Sequence, residues 1–393
     1  MKTTIARPGP RLLADVKALR EDLHQHPELA FGEKRTGELV AARLAALGIE
    51  VRRGLAKTGV VGVLRGSAAG AGRGKTIALR ADMDALPVPE ATGLAYASVN
   101  TGKSHACGHD GNVAVLVGAA TMLAGVRKRL KGKVVFIFQP AEESGAGGKR
   151  MVEDGALRNP RPDAIFALHA TPLLGPGQIS ISPTPNVAAL FFDITVRGSG
   201  GHCASPHRCV DPVVAGSMIV AASQTIVSRE VRPDQPAVVT FGTFHAGTKA
   251  NVIPDTARLQ GSIRAMDMKS GAALRAALER IARATASGLR ARVSIAWGQT
   301  YPPVHNDPPL MDFVRETGRL VLGAKNVIEA PEQGMGGEDF AYYLTEQGGV
   351  PGVIYRLGGE CKKPLHSSLF DFGSQSLKPG IAMMANLALR FLA

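Results

Sequence analysis

The sequence predicts an α/β protein: a larger domain with a mixed, largely parallel sheet flanked by helices, into which a smaller ferredoxin-like α+β domain is inserted. Three observations predict it. Short apolar runs alternate with stretches of helical periodicity in the first and last thirds, the mark of an α/β layer fold. Between about 187 and 296 the order changes to βαββαβ, the ferredoxin-like split unit. The chain's 393 residues suit two domains at roughly 150 residues each.

The elements follow in order. Residues 33–48 (EKRTGELVAARLAALG) carry apolar side chains at helical spacing and stop at Gly48, as a helix C-terminus does. The short apolar runs at 60–64, 76–80, 133–138 and 164–168 read as core strands. Residues 112–126 (NVAVLVGAATMLAGV) have helical length and a small-residue face suited to packing on a sheet. Residues 66–75 (GSAAGAGRGK) read as a surface loop, and their glycines form no phosphate-binding fingerprint. The inserted segment shows a strand at 190–197, a helix at 211–228, strands near 237–245 and 256–265, a helix at 270–288 and a strand at 291–296. After Trp297 come a helix at 309–322, another starting near Gly337, a strand at 352–357 and a helix from about 377. Residues 1–186 and 297–393 are therefore expected to form one domain and 187–296 the other.

Composition narrows the class. Hydrophobic content of 45% is globular, and no apolar run approaches the roughly 18–20 residues of a membrane span. The start, MKTTIARPGPRLLADVK, lacks the apolar core of a secretory signal, so a cytoplasmic protein is expected. Cys107, Cys203, Cys209 and Cys361 are too few and scattered for a disulfide framework. There are 46 basic and 33 acidic residues, a net charge of +13, but the arginines are dispersed and aromatics are only 5%. No nucleic-acid or membrane partner is expected; attraction of anionic small molecules is.

Cys107-Gly108-His109-Asp110, just before a helical run, sets two metal-ligand side chains two residues apart beside a carboxylate that could orient the imidazole. Other ligand types fall at strand ends, where α/β sheets bind their ligands. TIALR runs into Asp82 and Asp84, KVVFIF into Gln139-Pro140-Ala141-Glu142-Glu143, and AIFAL into His169; His366 follows the strand GVIYRLG after a short loop. Cys107, His109, Glu143, His169 and His366 would suffice for two metal ions, leaving a glutamate to move a proton. Successive side chains of an extended segment point opposite ways, so one of Glu142 and Glu143 can bind metal while the other faces substrate.

These stretches resemble the M20 clan of metal-dependent amidohydrolases and peptidases, in particular its hippurate hydrolase, aminoacylase and auxin-conjugate hydrolase branch. The matching residues are His24-Gln25-His26-Pro27-Glu28-Leu29, Arg80 to Pro87, His105 to Gly111, Phe138 to Glu143, Gly200-Gly201-His202, Asn251 to Asp255 and Glu338-Asp339-Phe340. The resemblance implies metal ligation by Cys107, His109, Glu143, His169 and His366, with Glu142 as general base. It implies two divalent ions (zinc, manganese, cobalt or nickel), an N-acyl amino acid substrate, and an inserted domain that acts as a lid and mediates a homodimer. It further implies that His202 polarises the scissile carbonyl, often from the partner subunit, and that Asn251 and Arg264 hold the substrate. Two departures stand out: Asn112 where the family commonly has His, and Ser367-Ser368 where it commonly has Asn-Pro. Asn112 is expected to be carried away from the metals by its helix, Asp84 to support the ligand loop, and His24 and His26 to order a helix end. The rival functions are a dipeptidase or carboxypeptidase of the same clan and a non-catalytic binding protein.

Overall fold

The computed structural model describes residues 6–70, 72, 74–329, 334–345 and 347–393. Two positions of the expected 66–75 loop, 71 and 73, lie outside them, as do residues 1–5. Helices α1 (Pro10–Gln25) and α2 (Lys34–Ala46) lead into β1 (Glu50–Leu55), β2 (Gly59–Arg65) and β3 (Thr76–Asp82). Next come α3 (His109–Gly125), β4 (Lys133–Gln139), α4 (Gly147–Glu153), β5 (Ala164–Thr171) and β6 (Ile179–Ile181). Then follow β7 (Ala188–Arg197), β8 (Gly201–His202), α5 (Pro212–Thr225), β9 (Ala237–Ala246), β10 (Val252–Ile253), β11 (Thr256–Ala265), α6 (Met268–Gly288) and β12 (Arg292–Tyr301). The chain ends with α7 (Pro308–Leu322), β13 (Val327–Glu329), α8 (Ala341–Leu344), β14 (Gly352–Gly358) and α9 (Leu377–Phe391). No helix among the described residues is long and apolar enough to cross a membrane.

Contacts divide the chain into two compact units: the described residues of Met1–Pro185, His305–Gln333 and Asp339–Ala393, and those of Asn186–Val304 and Gly334–Glu338. Among the described residues, the first unit holds an eight-stranded sheet in the order β1-β2-β4-β3-β5-β14-β6-β13. Pairing is parallel for β3 with β4 and β5, β5 with β14, and β6 with β13. It is antiparallel for β1 with β2, β2 with β4, and β6 with β14. Strands β3 and β5 are buried throughout, as strands covered on both faces must be.

Side-chain alternation gives the two faces different tasks. Ile77, Leu79 and Ala81 of β3, Val134, Phe136 and Phe138 of β4, and Phe166 and Leu168 of β5 join one core cluster with Val16, Leu19 and Leu23 of α1, Val113 to Val117 of α3, and Ile381 to Ala385 and Leu387 of α9. The opposite parity carries Arg80, Asp82, Gln139 and His169, all buried. Arg80 is bound on three sides: Nε donates to Gln139 Oε1 at 2.9 Å, Nη1 to Asp82 Oδ2 at 2.7 Å and Nη2 to Asp339 Oδ1 at 2.9 Å.

In the second unit a four-stranded antiparallel sheet, β12-β7-β11-β9, packs α5 and α6 on one face. Leu190, Phe192, Ile194 and Val196, every second residue of β7, meet Ala215 and Ile219 of α5 and Leu274, Leu278 and Ile281 of α6. Some elements differ from expectation. The strand expected at 291–296 runs on to Tyr301 past a register shift between Trp297 and Thr300, because it continues to pair with β7. The helix expected near Gly337 is only α8. Strand β1, at a sheet edge, carries no apolar run because its polar sequence suits exposure there.

Replacing Arg80 by Met should leave Asp82 and Asp339 buried without their cation and cost about 3–5 kcal/mol. Urea denaturation of the metal-free protein checks this; an unchanged midpoint would mean the guanidinium is not a keystone.

Candidate metal centre

The donors gather where β3, β4 and β5 run out. His169 donates from Nδ1 to the carbonyl of Ala170 at 2.8 Å. A carbonyl can only accept, so the proton sits on Nδ1 and Nε2 is presented as a lone pair, 3.5 Å from Cys107 Sγ. His109 opens α3, and its Nδ1 donates to the Asp84 carbonyl at 2.9 Å, again presenting Nε2. Between Cys107 and His109, Gly108 adopts φ 82, and a Cβ there would meet Ala170, Phe372 and Phe370 at 3.2–3.3 Å. Both the positive φ and the close contacts favour glycine at that turn.

The segment leaving β4 supplies the glutamates. Asp84 accepts the Glu142 amide at Oδ1 and the Glu143 amide at Oδ2, each at 3.0 Å, so it supports this loop. Glu143 Oε1 lies 3.3 Å from His366 Nε2 and 4.0 Å from His109 Nε2. His366, at φ 66, is tied to the Cys107 segment by its amide, which donates to the Ala106 carbonyl at 2.8 Å. Donor atoms of Cys107, His109 and His169 lie within 4.8 Å of one another, as do those of Cys107, Glu143 and His366, and those of His109, Glu142 and Glu143. The first unit thus brings together Cys107, His109, Glu143, His169, His366 and Glu142.

The donor set fits divalent ions. An ion binding nitrogen and sulfur at about 2.0–2.3 Å spaces its donors by roughly 3–4 Å, as found here. His109 Nε2 and Glu143 Oε1 are buried with no hydrogen-bond partner, and such atoms call for an occupant. The charges agree. Burial, then the Glu143 and Glu142 carboxylates, push the Cys107 thiol well above its ordinary range. Burial opposes charge on His109, but Asp82 and Asp84 raise it to about 10. Burial and Arg356 lower His169 to about 3, leaving a neutral donor. Anionic groups thus crowd the site, and a bound cation there would offset them and stabilise the thiolate as well.

Around the donors the structure departs from three expectations. Asp110 does not orient His109; one helical step turns it away, to Arg20 Nε and His24 Nδ1, both at 2.8 Å. His24 does not order a helix end: it is buried, with Nε2 donating to Glu90 Oε1 at 3.1 Å. Arg20 also pairs with Asp371 and lies 5.0 Å over the Tyr96 ring. His26 does serve the helix end, its Nδ1 donating to the Asp22 carbonyl at 2.8 Å. Asn112 is not carried far: three residues from His109 it shares that helix face and donates to Asp82 Oδ1 at 2.7 Å. Asp82 itself lies 3.7 Å from His109 Nε2. Its place at a strand end, within the stretch Arg80 to Pro87 that resembles the family, marks it in the sequence.

The remaining predicted residues lie in the second unit. His202 of β8 pairs with Val252 of β10, next to Asn251, whose carbonyl accepts the Cys203 amide at 3.2 Å. The Ala204 amide donates to His202 Nδ1 at 3.1 Å, so the proton of that exposed ring is on Nε2. Arg264 is near the far end of β11, its guanidinium 5.1 Å over the Phe191 ring. From Thr256 to Arg264 the strand advances about 27 Å at about 3.4 Å per residue, so Arg264 stands well apart from His202 and Asn251.

Comparison with known proteins agrees with this architecture. A model of peptidase family M20/M25/M40 matches residues 78–390. The chain is 37% identical over 384 residues to the IAA-amino acid hydrolase ILR1-like 4 of Arabidopsis thaliana, covering 95% of this chain and 85% of the relative. It is 37% identical to an N-acetyl-L-cysteine deacetylase of Bacillus subtilis, covering 91% and 84%, and 37% identical to thermostable carboxypeptidase 1 of Saccharolobus solfataricus, covering 95% and 94%. A crystal structure of a dinuclear metal-binding peptidase of the M20 family from Bacillus subtilis superposes with a TM-score of 0.79 at 33% identity, covering 98% and 99%.

His24 yields a pH prediction. Burial disfavours its charge, but Asp110 and Glu90 outweigh that and raise it from 6.5 to about 9. A folded value above the unfolded one stabilises the protein fully below about 6.5, and the contribution is lost as pH rises through about 9. Urea midpoints should therefore decline across that interval, and His24→Gln should flatten the decline; equal slopes in the two proteins would refute this.

Proposed function

The chain belongs to peptidase family M20/M25/M40, and from that premise we propose that it hydrolyses N-acyl amino acids, hippurate-like compounds among them, to a carboxylic acid and a free amino acid. It is a metal-dependent amidohydrolase, not a non-catalytic binding protein. The observation that carries the substrate and mechanism reading is Glu142, fixed by its amide to Asp84 and set within the donor cluster.

Cys107, His109, Glu143, His169 and His366 would hold two divalent ions; thiolate with imidazole suits zinc, and the family resemblance also allows manganese, cobalt or nickel. When bound, such ions polarise a carbonyl and acidify water. Glu142 takes a proton from the attacking water as its oxygen bonds to the carbonyl carbon, and returns it to the amine as the C–N bond breaks. His202 donates from Nε2 to the developing oxyanion, Asn251 holds the substrate, and Arg264 binds the amino acid carboxylate through paired hydrogen bonds.

These roles support a homodimer. An N-acyl amino acid is far shorter than the roughly 27 Å between the two ends of β11, so His202 and Asn251 must serve a substrate held by the Arg264 of a second copy. The second unit offers a face for it. Among the described residues β9 is an open sheet edge, and Val213, Val214 and Met218 of the neighbouring α5 are exposed.

The carboxypeptidase relative favours peptide cleavage as a second reading. Rates on benzoylglycine, acetylated amino acids and unblocked dipeptides decide between them; faster dipeptide cleavage would favour the second.

Glu142→Ala should keep its bound metal and lose roughly 100- to 10,000-fold in turnover; wild-type turnover would remove Glu142 from the mechanism. Met218→Glu should shift the protein to monomer in sedimentation and abolish activity in parallel. A fully active monomer would sink the shared-site reading.

A further inference from the structure

Glu33, the residue preceding α2, is fully buried yet belongs to none of the groups assigned above. Its Oε1 accepts the amides of Phe31 at 3.0 Å and Ala141 at 2.9 Å, and its Oε2 accepts the Thr58 hydroxyl at 2.7 Å. With Asp84 receiving the next two amides, three successive N–H groups, those of residues 141, 142 and 143, end on two buried carboxylates. Ala141 is left-handed, at φ 55, a conformation that is strained for an alanine and persists only where its surroundings impose it. The Glu33 bond and the Gly147 amide, which donates to the Ala141 carbonyl at 3.0 Å, impose it. Gly147 must be glycine, since a Cβ there would lie 1.6 Å from the Pro140 carbonyl oxygen.

This left-handed step decides the direction in which the chain leaves β4 and hence where the next side chain, Glu142, points. We propose that Glu33 is a positioning residue for Glu142, holding the Ala141 turn that aims the proton-transferring carboxylate. The inference rests on the reading of Glu142 as general base. Asp84 fixes the amides of Glu142 and Glu143 together, whereas Glu33 acts on the turn alone. Burial, partly offset by the Thr58 hydroxyl, raises the Glu33 carboxyl to about 7. A neutral side chain with the same acceptor should therefore substitute for it: in Gln the carbonyl oxygen can still receive both amides, and the amide nitrogen can donate to Thr58.

The test measures kcat and KM per metal-loaded chain, bound metal and thermal midpoint on an acetylated amino acid. Glu33→Ala should retain metal and keep KM within about threefold while kcat falls roughly 10- to 100-fold. Glu33→Gln should restore most of kcat. Thr58→Val, which removes only the Oε2 partner, should lower the thermal midpoint and leave kcat intact. Added to Glu142→Ala, Glu33→Ala should cost no further kcat, because nothing remains to be aimed. If Glu33→Ala does not fold, Glu33→Asp, one methylene shorter, carries the same expectations. Wild-type kcat per loaded chain in Glu33→Ala, or an equal loss with and without Glu142, overturns the proposal. Full activity in Glu142→Ala alone overturns the general-base reading, and the proposal with it.

Discussion

The guanidinium of Arg80 is the interaction on which the rest of the site rests. It binds Gln139 at the end of β4, Asp82 at the end of its own strand and Asp339 just ahead of α8. Asp339 in turn accepts from Gln139 Nε2 at 2.7 and 2.8 Å and from the Gly148 amide at 2.7 Å, which anchors the start of α4. One cation thus fixes two strand ends and two helix starts beneath the donors. A buried charge bound so fully has little freedom to move. Asp82, held on one side by Arg80 and on the other by Asn112, meets His109 in a single orientation.

The donors show the same economy. His109 and His169 each spend Nδ1 on a backbone carbonyl, so the sheet and loop geometry rather than other side chains sets their tautomers. The amides of Glu142 and Glu143 are both held by Asp84, and the Glu143 carboxylate also meets His366 Nε2 at 3.3 Å. The Nε2 atoms of His109 and His169 therefore face the centre with their orientation fixed from behind.

Much of this was legible in the chain. Apolar runs that end in ligand-type residues gave the strands and pointed to Glu143 and His169, and the βαββαβ order gave the second sheet. What the sequence hid has physical reasons. The partners of Arg20, His24 and Asp110 come from positions 90, 96 and 371, and no local spacing encodes a meeting between segments so far apart. Asp110 reads as the natural partner of His109 because they are adjacent, yet adjacent residues on a helix face different neighbours. Glu33 reads only as the first residue of the helical run at 33–48, and the tertiary fold alone brings it to the Ala141 amide, one residue before Glu142. Strand β1, polar and at an edge, carries no apolar run to betray it.

The length of β11 has a consequence for how such an enzyme lives in solution. Under the proposed roles a complete catalytic constellation exists only in the associated state, so specific activity becomes a function of protein concentration: dilution alone would act as a reversible inhibitor, and substrate spanning two copies would draw them together. A ten-residue strand, through its span alone, would thus couple turnover to abundance.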